Sequence, residues 1–193
     1  MRQGRRSRIV RLIAGTAAAL AATAAGAKVY LTREEALGLV FPNASVERRT
    51  AYLTDAQRRE AQKLSGEEKP PAALVTYYVA SKEGKPIGVA YFDAHMVRTM
   101  AETVMVAVDP AGAILRIEVL SFDEPEEYRP RPAWYAQFQG KPLDDELAVK
   151  RGIRSVAGAT LTARATTDAA RRVLALHRVL ETGAAPAATP APR

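Results

Sequence analysis

The sequence predicts an α+β fold in which an antiparallel sheet is flanked by helices and a C-terminal helix follows a short loop. Two observations carry this prediction. In the middle of the chain, runs rich in β-branched and aromatic residues alternate with turn-forming residues, which is typical of antiparallel strands. After them, residues 163–180 place apolar side chains on one face at helical spacing, namely Ala165, Ala169, Val173, Leu176 and Leu180. The chain is long enough for one domain with a proper core.

The first 27 residues have the composition of a secretory signal peptide. A basic start is followed by the Ala-rich apolar run 12–24, and Ala25-Gly26-Ala27 has the small-residue form of a cleavage site. Cleavage there would make Lys28 the first residue of the mature chain. A weak, uncleaved N-terminal anchor is the alternative, because residues 12–31 are about as long as a membrane-spanning helix must be. We therefore expect an exported protein, periplasmic or on the outer face of the cytoplasmic membrane.

This leader also accounts for most of the positive charge. The chain has 28 Lys and Arg against 21 Asp and Glu. Five arginines and no acidic residue lie in residues 1–27, so the remainder carries 23 basic and 21 acidic residues, a net charge of +2. No basic stripe with interleaved aromatics is present, so we expect no nucleic-acid partner. The absence of cysteine excludes disulfides, c-type haem attachment and iron–sulfur ligation.

Short helices and strands are predicted to alternate in the first half of the folded region. Thr32 and Glu35 form a capping box for a helix that ends before Pro42. The elements predicted next are a strand at 46–53, a polar helix from Thr54-Asp55 to Leu64, and strands at 73–81 and 86–92.

A β-hairpin at 102–122 is the clearest predicted element. Asp109-Pro110-Ala111-Gly112 provides the turn between the strands Glu102–Val108 and Ala113–Phe122. An acidic loop at 123–132, a short aromatic helix at 133–139 and a further short segment at 144–150 follow. The predicted domain is residues 28–181, and residues 182–193 are predicted to be a disordered Ala/Pro tail.

Residues 157–162 (Ala-Gly-Ala-Thr-Leu-Thr) are the segment of the sequence that most clearly indicates a functional site. They bring two hydroxyls to the start of the last helix, which we expect at Ala163–Leu180 with Thr162 as its N-cap. The N-terminus of a helix has unpaired N–H groups and the positive end of the macrodipole, so it favours a phosphate. A loop of small residues with a capping threonine and no further function is the alternative.

Residues 158–162 (Gly-Ala-Thr-Leu-Thr), followed by a helix, resemble the attachment motif of the FMN-binding domain family. That family includes the periplasmic FMN-carrying subunits of the sodium-pumping NADH:quinone reductase and of the Rnf complex. Its motif runs Asp-x-x-Ser/Thr-Gly-Ala-Thr, and the last threonine, here Thr160, is joined to FMN by a phosphoester that a periplasmic FAD:protein FMN transferase makes. The similarity covers residues 103–180. Two positions depart from the motif: Arg154 stands at its Asp and Ala157 at its Ser/Thr.

The resemblance implies FMN as the cofactor and a set of site residues. The phosphoester would be at Thr160, with Arg154 and Arg164 available to pair with the phosphate. The other predicted site residues are the loop positions Gly158, Ala159 and Thr162 and, as candidate walls for the flavin ring, Trp134 and Tyr128.

The histidines, the acidic residues outside the motif and Phe138 are expected to have structural roles. We predict no catalytic residue and no metal ligand. His95 and His177 are expected to be solvated or in the core, the acidic residues at 123–127 to form a solvated loop, and Phe138 to pack in the core.

The resemblance therefore implies an electron-transfer module and not a stand-alone enzyme. It would relay electrons between a membrane-bound redox partner, quinone- or cytochrome-linked, and an acceptor outside the cytoplasm. A non-redox binding or structural module that has lost the flavin, and a non-covalent FMN binder, are the alternatives.

Overall fold

The structure, a computed structural model, describes residues 28–182. The predicted signal peptide and residues 183–193 of the predicted tail lie outside the described residues. The strands are β1 (Lys28–Val29), β2 (Ser45–Tyr52), β3 (Leu74–Lys82), β4 (Lys85–Met96), β5 (Ala101–Val108) and β6 (Ile114–Phe122). The helices are α1 (Arg33–Val40), α2 (Asp55–Ser65), α3 (Pro132–Tyr135) and α4 (Thr160–Thr182), with short 3-10 helices at Glu126–Tyr128 and Ala136–Phe138.

All six strands form one antiparallel sheet in the order β1-β6-β5-β4-β3-β2. From β2 to β6 the strands are neighbours in the order of the chain. Only β1 crosses to the far edge, where Lys28 lies opposite Phe122. The predicted α+β class with an antiparallel sheet, flanking helices and a C-terminal helix is confirmed.

The two faces of the sheet have separate cores. On one face α4 and α2 cover the larger core, and on the other face α1 covers a smaller one. Alternate residues of β5 supply both: Val104 and Val106 face the larger core, while Met105 and Ala107 face the smaller one. Because β5 is buried on both faces, it reads as a continuous apolar run.

The apolar stripe of α4 differs from the predicted one. Ala169 and Val173 are buried as expected, but Ala165, Leu176 and Leu180 are only half-buried. The most buried line of the helix instead includes polar side chains and small residues, namely Thr166, Thr167, Ala170, Leu174 and His177. The sequence pattern missed this line because Thr166 and His177 bond to Glu102 of β5 and Tyr91 of β4, while Thr167 donates to the Ala163 carbonyl of its own helix.

The start of α4 corrects the predicted cap. The helix begins at Thr160, and its first backbone bond runs from the Ala163 N–H to the Ala159 carbonyl at 2.9 Å. Thr162 therefore lies inside the first turn. Its side chain is buried and its hydroxyl donates to the Tyr128 carbonyl at 2.6 Å. The capping prediction for Thr162 is wrong because a tertiary contact takes up this hydroxyl.

Two other boundaries differ from the sequence prediction. β4 runs to Met96, beyond the predicted end at Phe92, and α4 runs to Thr182, into the predicted tail. The helix starts of the first half are as expected, since Thr32 caps α1 and Thr54 caps α2, each in a capping box. Among the described residues, no helix combines the length and apolar character needed to cross a membrane.

Candidate functional site

A cavity of about 150 Å³ lies at the start of α4. Its lining combines the loop before α4 with two residues from elsewhere in the chain. The lining residues are Gly158, Ala159, Thr160, Leu161, Thr162, Arg98 and Tyr128. The structure therefore brings together five of the predicted site residues and adds Arg98, which the sequence did not indicate.

Thr160 lines this cavity. The residue is half-buried, and its Oγ1 donates to the Val156 carbonyl at 3.3 Å, which is long for an O–H···O bond. The N–H groups of the first turn of α4 precede the helical ladder and give this end its positive character. Gly158 has a φ of +82° and no heavy atom within 4 Å of a Cβ built on it, so the loop is open on that side.

Tyr128 forms the opposite side of the cavity. It ends the 3-10 helix Glu126–Tyr128, and its carbonyl accepts the hydrogen bond from Thr162. The guanidinium of Arg98 lies over its ring, 5.3 Å from the centroid. These contacts tie the segment after β6 to both α4 and the turn between β4 and β5.

The turn that carries Arg98 is fixed by a buried carboxylate. Glu124 is 7% exposed, and its Oε1 accepts from the backbone N–H groups of Thr99 (2.7 Å), Met100 (2.9 Å) and Arg98 (3.2 Å). These donors, with that of Thr99 first, hold the pKa of Glu124 below its ordinary value. The acidic segment 123–127 is therefore not simply a solvated loop, as expected from the sequence. One of its carboxylates is a structural anchor.

Glu126 in the same segment also has bonding partners in the folded protein. It accepts a hydrogen bond from the Tyr30 hydroxyl at 2.5 Å and pairs with Arg129. The Tyr30 bond, followed by the Arg129 bond, lowers the pKa of Glu126 to about 2. This cluster links the start of the described chain to the segment beside the cavity.

Trp134 and Arg154 lie at a different cavity, of about 430 Å³. The indole N–H of Trp134 donates to the Arg154 carbonyl at 2.7 Å, and the Arg154 N–H donates to Gln137 Oε1 at 2.7 Å. Trp134 also packs edge-to-face on Phe138, which is fully buried in the core as expected. These contacts fix the beginning of the loop that leads to Thr160.

Arg154 and Arg164, the two arginines predicted to pair with the phosphate, do not line the cavity that Thr160 lines. The Arg154 side chain is exposed and lines the cavity of Trp134. Arg164 is exposed on α4, one turn after Thr160, and lines neither cavity. Arg98 is the arginine that shares the cavity with Thr160. No local pattern could have revealed it, since it is a turn residue far from Thr160 in the sequence.

A buried charge network lies beneath α4. His95 Nδ1 is 2.9 Å from Asp93 Oδ1 and its Nε2 is 3.0 Å from Glu102 Oε2, and Thr166 of α4 also donates to Glu102. Arg172 of α4 pairs with Asp93 at 2.8 Å. Burial by itself disfavours protonation of His95, but its two carboxylate bonds outweigh burial and raise its pKa to about 9. The network ties α4 to β4 and β5, and His95 has the core role expected for it.

His177 is the second buried histidine. Its Nδ1 lies 3.0 Å from the Tyr91 hydroxyl, and burial lowers the pKa of the ring. It therefore also has the core role expected from the sequence.

Comparison with known proteins gives a family match over part of the chain and a similar fold. Residues 101–175 match the family described as the FMN-binding domain. Among solved structures, the crystal structure of NqrC from Shewanella oneidensis is similar, with a TM-score of 0.51 and 19% sequence identity over 74% of this chain and 87% of that chain. No curated protein sequence matches the chain. The matched segment contains β5, β6, the Thr160 loop and α4 through Ala175.

Proposed function

We propose that this protein is an exported flavoprotein that carries FMN on Thr160 through a phosphoester, because residues 101–175 match the FMN-binding domain family, with FMN as the cofactor. The family match and the NqrC-like fold support an FMN-carrying electron-transfer module. The observation that carries the covalent proposal is the position of Thr160. This residue lines a cavity at the start of a long helix, together with Arg98 and Tyr128.

The chemistry of this cavity fits the phosphoryl end of FMN. A hydroxyl, a guanidinium and the N-terminus of a helix converge there, and the last two favour an anion. The volume, about 150 Å³, is below the roughly 300–1,000 Å³ of sites that enclose a whole small molecule. The cavity would therefore receive only part of FMN. A covalent bond would retain a cofactor that the protein does not surround.

Attachment would follow the reaction of an FAD:protein FMN transferase. The Thr160 oxygen would form a bond to the FMN phosphorus of FAD, the bond from that phosphorus to the AMP portion would break, and AMP would leave while the hydroxyl proton passes to solvent. Thr160 would supply the Oγ1 that forms this bond; in the unmodified protein that oxygen makes a long hydrogen bond, 3.3 Å, to the Val156 carbonyl.

The departure from the family motif at Arg154 is compatible with this proposal. Position 154 holds the loop through its backbone N–H and carbonyl, which bond to Gln137 and Trp134, while its side chain is exposed. An arginine in place of the motif's aspartate therefore leaves these contacts in place. Ala157 is exposed and lacks only a hydroxyl relative to the motif.

Export and redox partners complete the proposal. The basic and Ala-rich residues 1–27 support export, with an N-terminal anchor as the second form of the same proposal. Bound FMN supplies one- and two-electron redox chemistry. The protein would pass electrons between a membrane-bound partner, quinone- or cytochrome-linked, and an acceptor outside the cytoplasm. Covalent attachment suits such a location, where free FMN is dilute.

Acid precipitation of the protein purified from its native compartment tests the proposal. Flavin that stays in the precipitate of the wild type, but is missing from Thr160→Ala, is the expected result. Thr182→Ala is the matched control, since Thr182 is an exposed threonine at the other end of α4. Flavin released into the supernatant would show a non-covalent FMN binder. A protein without flavin absorbance would show a module that has lost the cofactor.

A further inference from the structure

We infer that Arg98 is the residue that binds the phosphoryl group at Thr160 and makes the site prefer flavins that carry a phosphate over flavins without one. This inference rests on the proposed function and assigns a binding residue to the same site.

The first support is position. Arg98 lines the same cavity as Thr160, whereas Arg154 lines another cavity and Arg164 lines neither. A guanidinium binds phosphate oxygens through paired N–H groups, so an arginine in the same small cavity is well placed to contact a phosphate on Thr160.

The second support is that the charge of Arg98 is not already balanced. Within residues 28–182, no carboxylate forms an ion pair with its side chain, and the rest of the sequence contains no Asp or Glu. Other arginines near the sheet are engaged: Arg129 pairs with Glu126, and Arg172 pairs with Asp93. The Tyr128 ring, whose centroid lies 5.3 Å from the guanidinium carbon, attracts the cation but carries no negative charge that would balance it.

The third support is that two contacts fix Arg98 relative to Thr160. Its backbone turn is held by Glu124, which follows β6. The ring beneath its guanidinium belongs to Tyr128, whose carbonyl is bonded to Thr162 in the first turn of α4. A cation held in this way loses little further freedom when it binds an anion, and such preorganisation favours binding.

A comparison of FMN with riboflavin tests the inference, because the two differ only in the phosphate. The unmodified full chain, made without the transferase, is titrated with each flavin, and the fluorescence of the flavin is followed. We expect the wild type to bind FMN about tenfold or more tightly than riboflavin, and Arg98→Gln to lose most of this preference, as for the loss of one charge-assisted bond. Arg98→Lys keeps the charge and should retain part of the preference.

Arg59→Gln is the matched control, since Arg59 is an exposed arginine of α2 that is remote from the cavity lining. It removes the same charge and should keep the wild-type preference. Far-ultraviolet circular dichroism of each variant checks that the fold is intact. An equal loss of affinity for both flavins in Arg98→Gln would indicate a structural role and would overturn the inference.

The rate of flavin attachment provides the second measurement. With transferase and FAD, Arg98→Gln should gain flavin about tenfold more slowly than the wild type and Arg59→Gln. If the wild type gains flavin and Arg98→Gln matches it in both rate and FMN preference, the inference fails and the proposed function stands. If the wild type neither gains nor binds flavin, the proposed function itself fails.

Discussion

Thr160 and Thr162 lie two residues apart at the start of α4 and have opposite surroundings. The Thr160 hydroxyl is half-buried beside an open cavity and makes only a long bond, 3.3 Å, to the Val156 carbonyl. The Thr162 hydroxyl is buried and held by a short bond, 2.6 Å, to the Tyr128 carbonyl. The first hydroxyl is the one we propose as the attachment point, while the second joins α4 to the segment after β6.

Replacing Thr162 by valine keeps the shape of the side chain and removes this bond. The Tyr128 carbonyl would lose its donor, so we expect Thr162→Val to lower the free energy of unfolding by about 1 to 3 kcal/mol. Denaturant unfolding of the unmodified protein measures the change. Thr182→Val is the control, since Thr182 is exposed at the end of α4, and it should be nearly neutral. Equal effects of the two substitutions would contradict the assignment.

His95 predicts a loss of stability at alkaline pH. Its pKa is about 9 in the folded protein, because its bonds to Asp93 and Glu102 outweigh the effect of burial, whereas its ordinary value is 6.5. Because the pKa of His95 is higher in the folded than in the unfolded protein, its protonation stabilises the folded state. This contribution is fully present below about pH 6.5 and is lost as the pH rises through about 9.

Urea unfolding at a series of pH values checks this prediction. The free energy of unfolding of the wild type should fall across this window, and that of His95→Gln, which cannot be protonated, should fall less. Parallel pH profiles for the two proteins would show that His95 does not carry the charge assigned to it.

At the residue scale, the sequence predicted what a local motif can encode. Thr160 stands in a recognisable pattern before a helix, so it could be predicted. Arg98 and Glu124 could not, because each acquires its role from a contact with a segment distant in sequence. The same holds for Thr162, whose partner is the carbonyl of Tyr128.

At the scale of elements, local turn and cap chemistry predicted best. The hairpin of β5 and β6 was predicted because Asp109 begins a turn that its own carboxylate stabilises by accepting from the Ala111 and Ala113 N–H groups. The end of β4 was missed because Asp93 and His95 look like loop residues. They are strand residues only because α4 and β5 provide buried partners of opposite charge or matching hydrogen bonds.

The packing of α1 on β4 gives a prediction at this scale. A Cβ at Gly88 would lie 2.8 Å from Phe41 Cε1 and 2.9 Å from the Val108 carbonyl oxygen. We therefore expect Gly88→Ala to displace α1 from the sheet and to destabilise the protein by about 1 to 3 kcal/mol.

Gly38→Ala is the matched control, because Gly38 lies inside α1 with no heavy atom within 4 Å of its added Cβ. Alanine favours a helix interior over glycine, so this variant should be more stable by about 0.5 to 1 kcal/mol. Thermal unfolding of the wild type and of both variants measures these changes in stability. A neutral Gly88→Ala would contradict the close contact between α1 and β4.

At the scale of the whole molecule, the segments that form the candidate FMN site meet at one end of the sheet. The turn between β4 and β5, the segment after β6 and the start of α4 meet there and surround the Thr160 cavity. The sequence predicted the α+β class, because strands joined by short turns must be antiparallel neighbours. It did not predict that β1 joins β6, because β1 is only two residues long and its partner is almost at the other end of the sheet-forming segment.

The mass of the intact protein, made with and without an FAD:protein FMN transferase, tests the covalent attachment of FMN at Thr160 most directly. The wild type and Thr160→Ser should gain the mass of FMN minus one water when the transferase is present and nothing when it is absent, while Thr160→Ala should gain nothing in either case. A wild type that stays unmodified with an active transferase, or a Thr160→Ala variant that still gains this mass, would contradict the assignment of Thr160 as the attachment point.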